Sequence, residues 1–167
     1  QAPFFPVPFE CMQADIEFDI REEGQDFELN GLLVRSIRQN HPGCSWGYRF
    51  ERGGEAIVYS TDAEHSAESR KDNSAFIDFF KNAEVAIVDA QYTREQVDND
   101  KRNWGHSDHR TAIELTGQAN VGHLVLFHHE PGFSDAKIES IFAAELEESN
   151  RQNGPRPKNI TLAYDGL

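Results

Sequence analysis

Val121-Gly122-His123-Leu124-Val125-Leu126-Phe127 is an almost continuous apolar run, and His128 and His129 follow it directly. An earlier run, Glu84 to Val88, has the same character. Short apolar runs are typical of strands in a sheet whose two faces are both covered by other elements. We therefore expect both runs to be central strands of a layered sheet.

Segments with helical spacing of apolar residues lie before, between and after these strands. Residues 74–81 carry apolar side chains at helical spacing, and Ser107 or Asp108 can cap a second helix. Ser134 can cap a third helix, and a last strand is expected at residues 160–164. Alternation of strand and helix predicts an α/β fold.

The N-terminal part of the chain has a different sequence pattern. Prolines exclude a helix from residues 3–9, whereas alternating acidic and apolar residues at 15–20 predict a half-buried strand. A second strand is expected at 31–37, and residues 46–60, with glycines at 53 and 54, predict a hairpin. We expect these four strands to form a meander.

Composition limits the classes of function. The 167 residues suit one domain over 1–167, and 16 basic against 29 acidic residues give a net charge of −13. This charge argues against passive binding of nucleic acid or anionic lipid, and no apolar run is long enough to span a membrane. Two cysteines without metal-type spacing favour a reducing, cytoplasmic location. Because position 1 is Gln, we expect the chain to begin partway through a longer gene product.

Three candidate metal ligands follow predicted strands. His41, Asp62 and His128 each come shortly after an apolar run. Ligands in layered α/β sheets gather where strands end, and two imidazoles with a carboxylate suit zinc, iron or manganese. From spacing alone, capped or solvated loop residues explain the three positions equally well.

Four stretches occur in a distinctive order: NHPGCSWGYRFE at 40–51, IVYSTDAE at 57–64, WGHS at 104–107 and LVLFHHEP at 124–131. Together they resemble the C-terminal half of the metallo-β-lactamase fold, particularly its ribonuclease Z-like and cyclic-nucleotide phosphodiesterase-like branch. The resemblance is close over 41–131 and looser over most of the chain. It implies a layered αββα sandwich, of which this chain supplies roughly the C-terminal half.

The resemblance also implies roles for individual residues. His41 corresponds to the ligand of the third motif, Asp62 to a carboxylate that bridges two metal ions, and His128 to the last ligand. The adjacent His129 is the alternative to His128. His106 matches a histidine that is not a ligand and sits over the scissile phosphate. Two divalent ions are implied, with zinc preferred over manganese or iron.

The family's first metal motif, His-x-His-x-Asp-His, does not occur in residues 1–167. We expect the N-terminal half to come from a separate chain or a nicked precursor. The complete protein would be a metal-dependent hydrolase, most readily a phosphodiesterase for a small phosphodiester or nucleotide-like substrate, with His106 and Asp62 catalytic. A non-catalytic metal-binding or sensory module and an ester, lactone or thioester hydrolase are the alternatives. A homo-oligomer is compatible with the sequence.

Several other polar or aromatic residues have simpler interpretations. We expect His65 to be a solvated loop residue, and His109 and His123 to lie at the surface or at helix ends. Asp89 is expected either to reach the site or to fasten a loop. For Trp104, packing is favoured over stacking on a substrate base.

Overall fold

A computed structural model of the protein describes residues 11–65 and 74–166. Its seven strands form one sheet, and their order in the sheet is their order in the chain. The strands are β1 (Phe27–Leu29), β2 (Leu32–Gln39), β3 (Ser45–Arg52), β4 (Glu55–Ser60), β5 (Val85–Asp89), β6 (His123–Phe127) and β7 (Asn159–Leu162). The helices are α1 (Ser74–Phe80), α2 (Arg94–Gln96), α3 (His109–Gln118) and α4 (Asp135–Arg151), and a π-helical segment, Val97–Lys101, continues α2.

The sheet combines two modes of pairing. Strands β1 to β4 pair antiparallel, whereas β4 to β7 pair parallel. Gly53 and Gly54 have φ angles of +64° and +90°, the left-handed conformation that the tight turn between β3 and β4 requires. Because β2 and β4 are both antiparallel to β3, they run in the same direction. The C-terminal ends of β2, β4, β5 and β6 therefore meet at one edge.

The hydrophobic core lies between one face of the sheet and helices α1, α3 and α4. In β4 the side chains of Ala56 and Val58 are buried, and they pack in one cluster with Phe80, Ile113 and Leu124. Full burial of an aliphatic or aromatic side chain of this size contributes about 1.5–3 kcal/mol each. This packing of helices against one face of the sheet holds the strands in place.

The other face of the sheet carries apolar side chains that the described residues leave exposed. Ile57 is 47% exposed and Tyr59 38%, and they alternate along β4 with the buried residues. Tyr48 is the partner of Tyr59 in β3, and the Phe127 ring lies 6.2 Å from that of Tyr59. An apolar face of this extent is typical of a surface that another structural layer covers.

The predicted α/β class is confirmed, and so are the hairpin and the three predicted helices. Asp108 caps α3 by accepting the N–H of Thr111 at 2.9 Å, whereas Ser134 occupies the cap position of α4 without a side-chain hydrogen bond. Helix α2 was not predicted. Of the described helices, none combines the length and the apolar character needed to span a bilayer.

The strand predicted at residues 15–20 is wrong. This segment is irregular, with Phe18 76% and Ile20 92% exposed, and the first strand is instead β1. Alternating polarity satisfies one condition for a strand, but a strand also needs a neighbour with which to exchange hydrogen bonds. Here β1 takes the place beside β2. The proline-rich segment at 3–9 lies outside the described residues.

Candidate metal centre

Four polar residues meet at the edge where strand ends converge. His41 lies two residues beyond β2, Asp62 two residues beyond β4, and His128 one residue beyond β6, while Asp89 ends β5. Because these four strands run in the same direction, their C-terminal ends place the side chains at one edge. The outermost of these strands, β2 and β6, are separated in the sheet by the three strands β3, β4 and β5.

The backbone is unusual at two of these positions. Asp62 has a φ angle of +55° and His128 one of +62°, in the left-handed region that non-glycine residues rarely adopt. Such conformations cost on the order of 1–3 kcal/mol and persist where the surroundings impose them. At Asp62, the backbone N–H donates to Oδ2 of Asp89 at 3.0 Å. This hydrogen bond helps to hold the turn.

Two of the predicted ligands, His41 and His128, each approach the third, Asp62. Nε2 of His41 lies 3.9 Å, and Nε2 of His128 3.7 Å, from the same oxygen, Oδ1 of Asp62. Both separations exceed the normal hydrogen-bond range of about 2.7–3.2 Å. They are compatible with two donors of one divalent ion, because zinc binds imidazole nitrogen and carboxylate oxygen at about 2.0–2.2 Å. The residues therefore fit a metal.

The His106 ring lies close to both predicted histidine ligands. Its ring is stacked on that of His128, with 4.8 Å between centroids and 14° between planes, and its centroid lies 5.4 Å from that of His41. Two overlapping groups have ligand atoms within 4.8 Å of one another, His41–Asp62–His106 and Asp89–His106–His128. Proximity alone thus includes His106 in both groups, although the sequence predicts that it is not a ligand.

A buried carboxylate orients His106. Nδ1 of His106 lies 2.8 Å from Oδ2 of Asp89, whose side chain is fully buried. Because an ionised carboxylate only accepts hydrogen bonds, the ring nitrogen donates. This hydrogen bond is the main reason that the pKa of His106 is raised above its usual 6.5. Nε2 is consequently the ring atom left to act on other groups.

Asp89 also fastens the surrounding loops. Its Oδ1 accepts the N–H of Ser107 at 3.1 Å and that of Gln91 at 3.3 Å, while Oδ2 accepts from Asp62 and His106. The sequence left open whether Asp89 reaches the site or fixes a loop. In the structure it does both.

Glu64 also shapes the site, although the sequence did not predict this role. Its buried carboxylate accepts the N–H of Asn103 at 2.9 Å and that of Gly105 at 3.0 Å. Gly105 in turn lies against the His41 ring. The only available signal was the position of Glu64 in the 57–64 stretch, two residues after Asp62.

The two adjacent histidines at the end of β6 face different partners. Nε2 of His128 approaches Asp62, whereas Nε2 of His129 lies 3.1 Å from the carbonyl oxygen of Ala163 beyond β7. A ring nitrogen that makes a hydrogen bond to a carbonyl is occupied there. The geometry supports the preference for His128 as the ligand candidate.

His65 is not the solvated loop residue that the sequence predicted. It is 1% exposed, and its ring lies 4.6 Å from that of Phe76 and 6.2 Å from that of Phe80. Among the described residues, neither ring nitrogen has a hydrogen-bond partner. Burial lowers the pKa of His65 to about 4. The imidazole is therefore a neutral part of the interior.

The expectation for His109 and His123 was only half right. His109 does begin α3, but it is buried, and its Nδ1 lies 3.0 Å from the carbonyl oxygen of Tyr92. Burial lowers the pKa of His109. His123 lies in β6, where Nε2 is 2.9 Å from Oγ1 of Thr161. Neither ring belongs to the groups of candidate ligand atoms found among the described residues at the strand-end site.

Residues 6–129 match the family model of the β-lactamase superfamily domain, which covers most of the chain. The protein belongs to this superfamily, as the strand-end arrangement of histidines and carboxylates and the seven-stranded α/β fold suggest.

Three individual proteins are similar to this chain in sequence or in fold. Ribonuclease Z of Thermoplasma acidophilum is 28% identical, over 80% of this chain and 44% of its own. The metallo-β-lactamase fold protein YhfI of Bacillus subtilis has a TM-score of 0.63 at 18% identity, over 88% of this chain and 53% of its own. A diphosphatase of the PhnP family has a TM-score of 0.58 at 21% identity, over 89% of this chain and 46% of its own. The chain thus spans about half the length of each.

Proposed function

We propose that this chain is the C-terminal half of a metal-dependent hydrolase that cleaves phosphodiesters. His41, Asp62 and His128 would hold divalent ions, two in number and zinc by preference. The observation that carries the proposal is the Asp89–His106 pair beside these three donors. A histidine held by a buried carboxylate next to a metal site is suited to proton transfer.

The donor set accounts for the metal preference. Imidazole nitrogens with a carboxylate oxygen form a borderline-soft set that suits zinc, with manganese and iron as alternatives. When bound, such ions supply a water of lowered pKa and positive charge for phosphoryl oxygens. That charge would also offset the repulsion of an anionic substrate by a chain of net charge −13.

His106 has the features of a general acid. Its Nδ1–H donates to Asp89, which leaves Nε2 for the substrate. The raised pKa keeps a larger fraction of the ring protonated near neutral pH. The imidazolium would then give its Nε2 proton to the departing oxygen of the phosphodiester. Asp89 keeps the ring in the required orientation and stabilises its positive charge.

The rest of the fold is assigned to an N-terminal half that this chain does not contain. The chain lacks the family's His-x-His-x-Asp-His motif and spans 44% of the Thermoplasma relative. The exposed apolar face around Ile57 and Tyr59 is where a second layer would pack. A separate chain or the preceding part of one precursor would supply that layer and the remaining ligands.

The relatives favour phosphorus chemistry over the alternatives. Their names, ribonuclease Z and diphosphatase, describe enzymes that cleave bonds to phosphorus. The acidic charge of this chain favours a small phosphodiester or nucleotide over a polyanion. A non-catalytic module would have no need for the Asp89–His106 pair. An ester, lactone or thioester hydrolase would use the same donors, so substrate turnover must decide.

The test uses the full-length protein loaded with zinc or manganese. Bis(p-nitrophenyl) phosphate should be hydrolysed faster than p-nitrophenyl acetate and a γ-lactone. Preference for the carboxylic ester or the lactone would establish the alternative hydrolase, and no turnover with metal bound would establish the non-catalytic module. His128→Ala should lose metal while the matched control His129→Ala keeps it.

A further inference from the structure

Trp104 is an exposed aromatic residue on a loop that is held in place. Its side chain is 54% exposed, so it does not have the packing role that the sequence favoured. The loop is anchored on both sides of it, because Glu64 accepts the backbone N–H groups of Asn103 and Gly105. A large ring presented to solvent by an immobilised backbone is suited to contact a ligand, since little conformational entropy is lost on binding.

Lys101 makes a cation–π contact with the indole of Trp104. Its ammonium group lies 3.6 Å from the centroid of the Trp104 ring and 5.6 Å from that of Tyr92. A cation over an aromatic face is attracted by the ring quadrupole. Lys101 thus occupies one face of the indole and places a positive charge beside it. Only the other face can accept a flat ligand.

The loop that carries Trp104 contacts the candidate metal centre. The next residue, Gly105, packs against the His41 ring, and the Tyr92 ring lies 6.0 Å from that of His106. Consecutive Cα atoms are about 3.8 Å apart, so Trp104 begins one residue from a backbone position in contact with a predicted ligand. The loop that carries Trp104 therefore borders the candidate metal centre.

The opposite flank of the site has the wrong charge for a nucleotide. A cavity of about 660 Å³ next to His128 includes Asp135, Glu139 and Asp165 in its lining, together with Tyr164. Carboxylates at this position repel phosphate oxygens. Of the exposed aromatic residues Trp104 and Tyr164, Trp104 is the one with a cation over its ring.

We propose that Trp104 stacks on the nucleobase of a nucleotide phosphodiester whose phosphorus lies at the metal centre. This assignment rests on the proposed function and narrows its substrate class to nucleoside phosphodiesters. Stacking on an aromatic face tolerates any base, because every base has a π surface. The chain should accordingly favour a nucleoside over a simple alkyl group without strong selection among bases.

A pair of esters with one leaving group isolates this contact. The full-length protein is assayed on p-nitrophenyl thymidine 5′-phosphate and on methyl p-nitrophenyl phosphate, and the ratio of their kcat/KM values is compared between variants. Trp104→Ala should lower the ratio roughly 5- to 150-fold, the range expected for one stacked base. Trp104→Phe should restore most of it. Tyr164→Ala is the matched control and should leave the ratio unchanged.

Two kinetic outcomes would overturn the assignment. An equal loss on both esters in Trp104→Ala would mean that the indole supports the loop only, and a fall of the ratio in Tyr164→Ala would place the base on the other flank. If wild-type protein hydrolyses neither ester, the proposed function fails and calorimetric binding of AMP decides the stacking. Trp104→Ala should then weaken AMP binding roughly 5- to 150-fold and leave inorganic phosphate binding unchanged. Equal AMP affinity would refute the contact.

Discussion

A Cβ atom at Gly105 would lie 2.3 Å from Cδ2 of His41 and 2.7 Å from Cδ of Pro42. Side chains do not approach one another this closely, so any residue with a Cβ atom must displace the His41 ring or the loop. The φ angle of Gly105 is +93°, which side chains rarely allow. Glycine at this position thus lets the loop of Trp104 and His106 close against a predicted metal ligand.

Gly105→Ala should therefore reduce the metal content of the full-length protein. Gly54→Ala is a matched control, because its φ angle is +90° and nothing lies within 4 Å of the added Cβ. Both replacements should cost about 1–2 kcal/mol of stability through backbone strain, and Gly105→Ala should cost more because its Cβ also collides with His41. Elemental analysis should show metal loss in Gly105→Ala alone, and equal metal content in both variants would contradict the contact.

Asp62→Ala and His106→Ala should separate metal binding from catalysis. Removing Asp62 takes away the oxygen that faces both His41 and His128, so metal content and phosphodiesterase turnover should fall together. His106→Ala should retain metal while kcat falls by about 10²–10⁴-fold, as for a lost acid–base group. Loss of metal in His106→Ala would make it a ligand, and unchanged turnover would make it structural.

Asp89→Asn should disturb His106 while preserving much of the loop structure. An amide group can accept at Oδ1 from Ser107 and Gln91 but presents a second donor where Oδ2 now accepts from Asp62 and His106. Loss of such a supporting hydrogen bond typically costs about 10- to 100-fold in activity or metal affinity. Turnover and metal content are measured together, and wild-type values for both would exclude the orienting role.

The burial of His65 leads us to expect a specific pH dependence of the free energy of unfolding. The unfolded chain binds a proton at this residue below pH 6.5, whereas burial lowers the pKa in the folded state to about 4. Stability should thus fall as the pH drops between these values, by on the order of 3 kcal/mol in total. Denaturation of the full-length protein should show a shallower decline for His65→Leu than for the wild type. Identical declines would mean that His65 becomes protonated in the folded protein.

Residues 1–167 expressed alone should bind metal poorly and tend to aggregate. The exposed face of Tyr48, Ile57, Tyr59 and Phe127 would associate with other copies when no second layer covers it. Gel filtration and zinc analysis with and without an N-terminal half provide the measurement. A monomeric species of 19.0 kDa with stoichiometric zinc would contradict this expectation.

The sequence predicted the strand-end residues because the local pattern contains the physical cause. An apolar run fixes a strand, and parallel strand direction brings the residues that follow to one edge, as for Asp62 and His128. The prediction of a strand at 15–20 was wrong because alternation describes the polarity of side chains and carries no information about a pairing partner. The prediction that His65 is solvated was wrong because the local sequence does not show that Phe76 packs against its ring.

Local sequence patterns could not predict the carboxylates that support the site. Glu64 binds backbone N–H groups 39 and 41 residues further along the chain, and Asp89 binds one 27 residues before it. Backbone donors have no side-chain signature, so such contacts emerge only from the folded chain. A sequence pattern thus identifies candidate metal ligands more readily than the residues that hold those ligands in place.

The position of Asp89 has a consequence for local fluctuations. One buried carboxylate accepts amide protons from the segments at Asp62, Gln91 and Ser107, which follow β4, follow β5 and precede α3. None of these segments can open without releasing a bond on the shared group. The three amides should therefore exchange with solvent deuterium as one cooperative unit, and a substitution in any one segment should accelerate exchange in the other two.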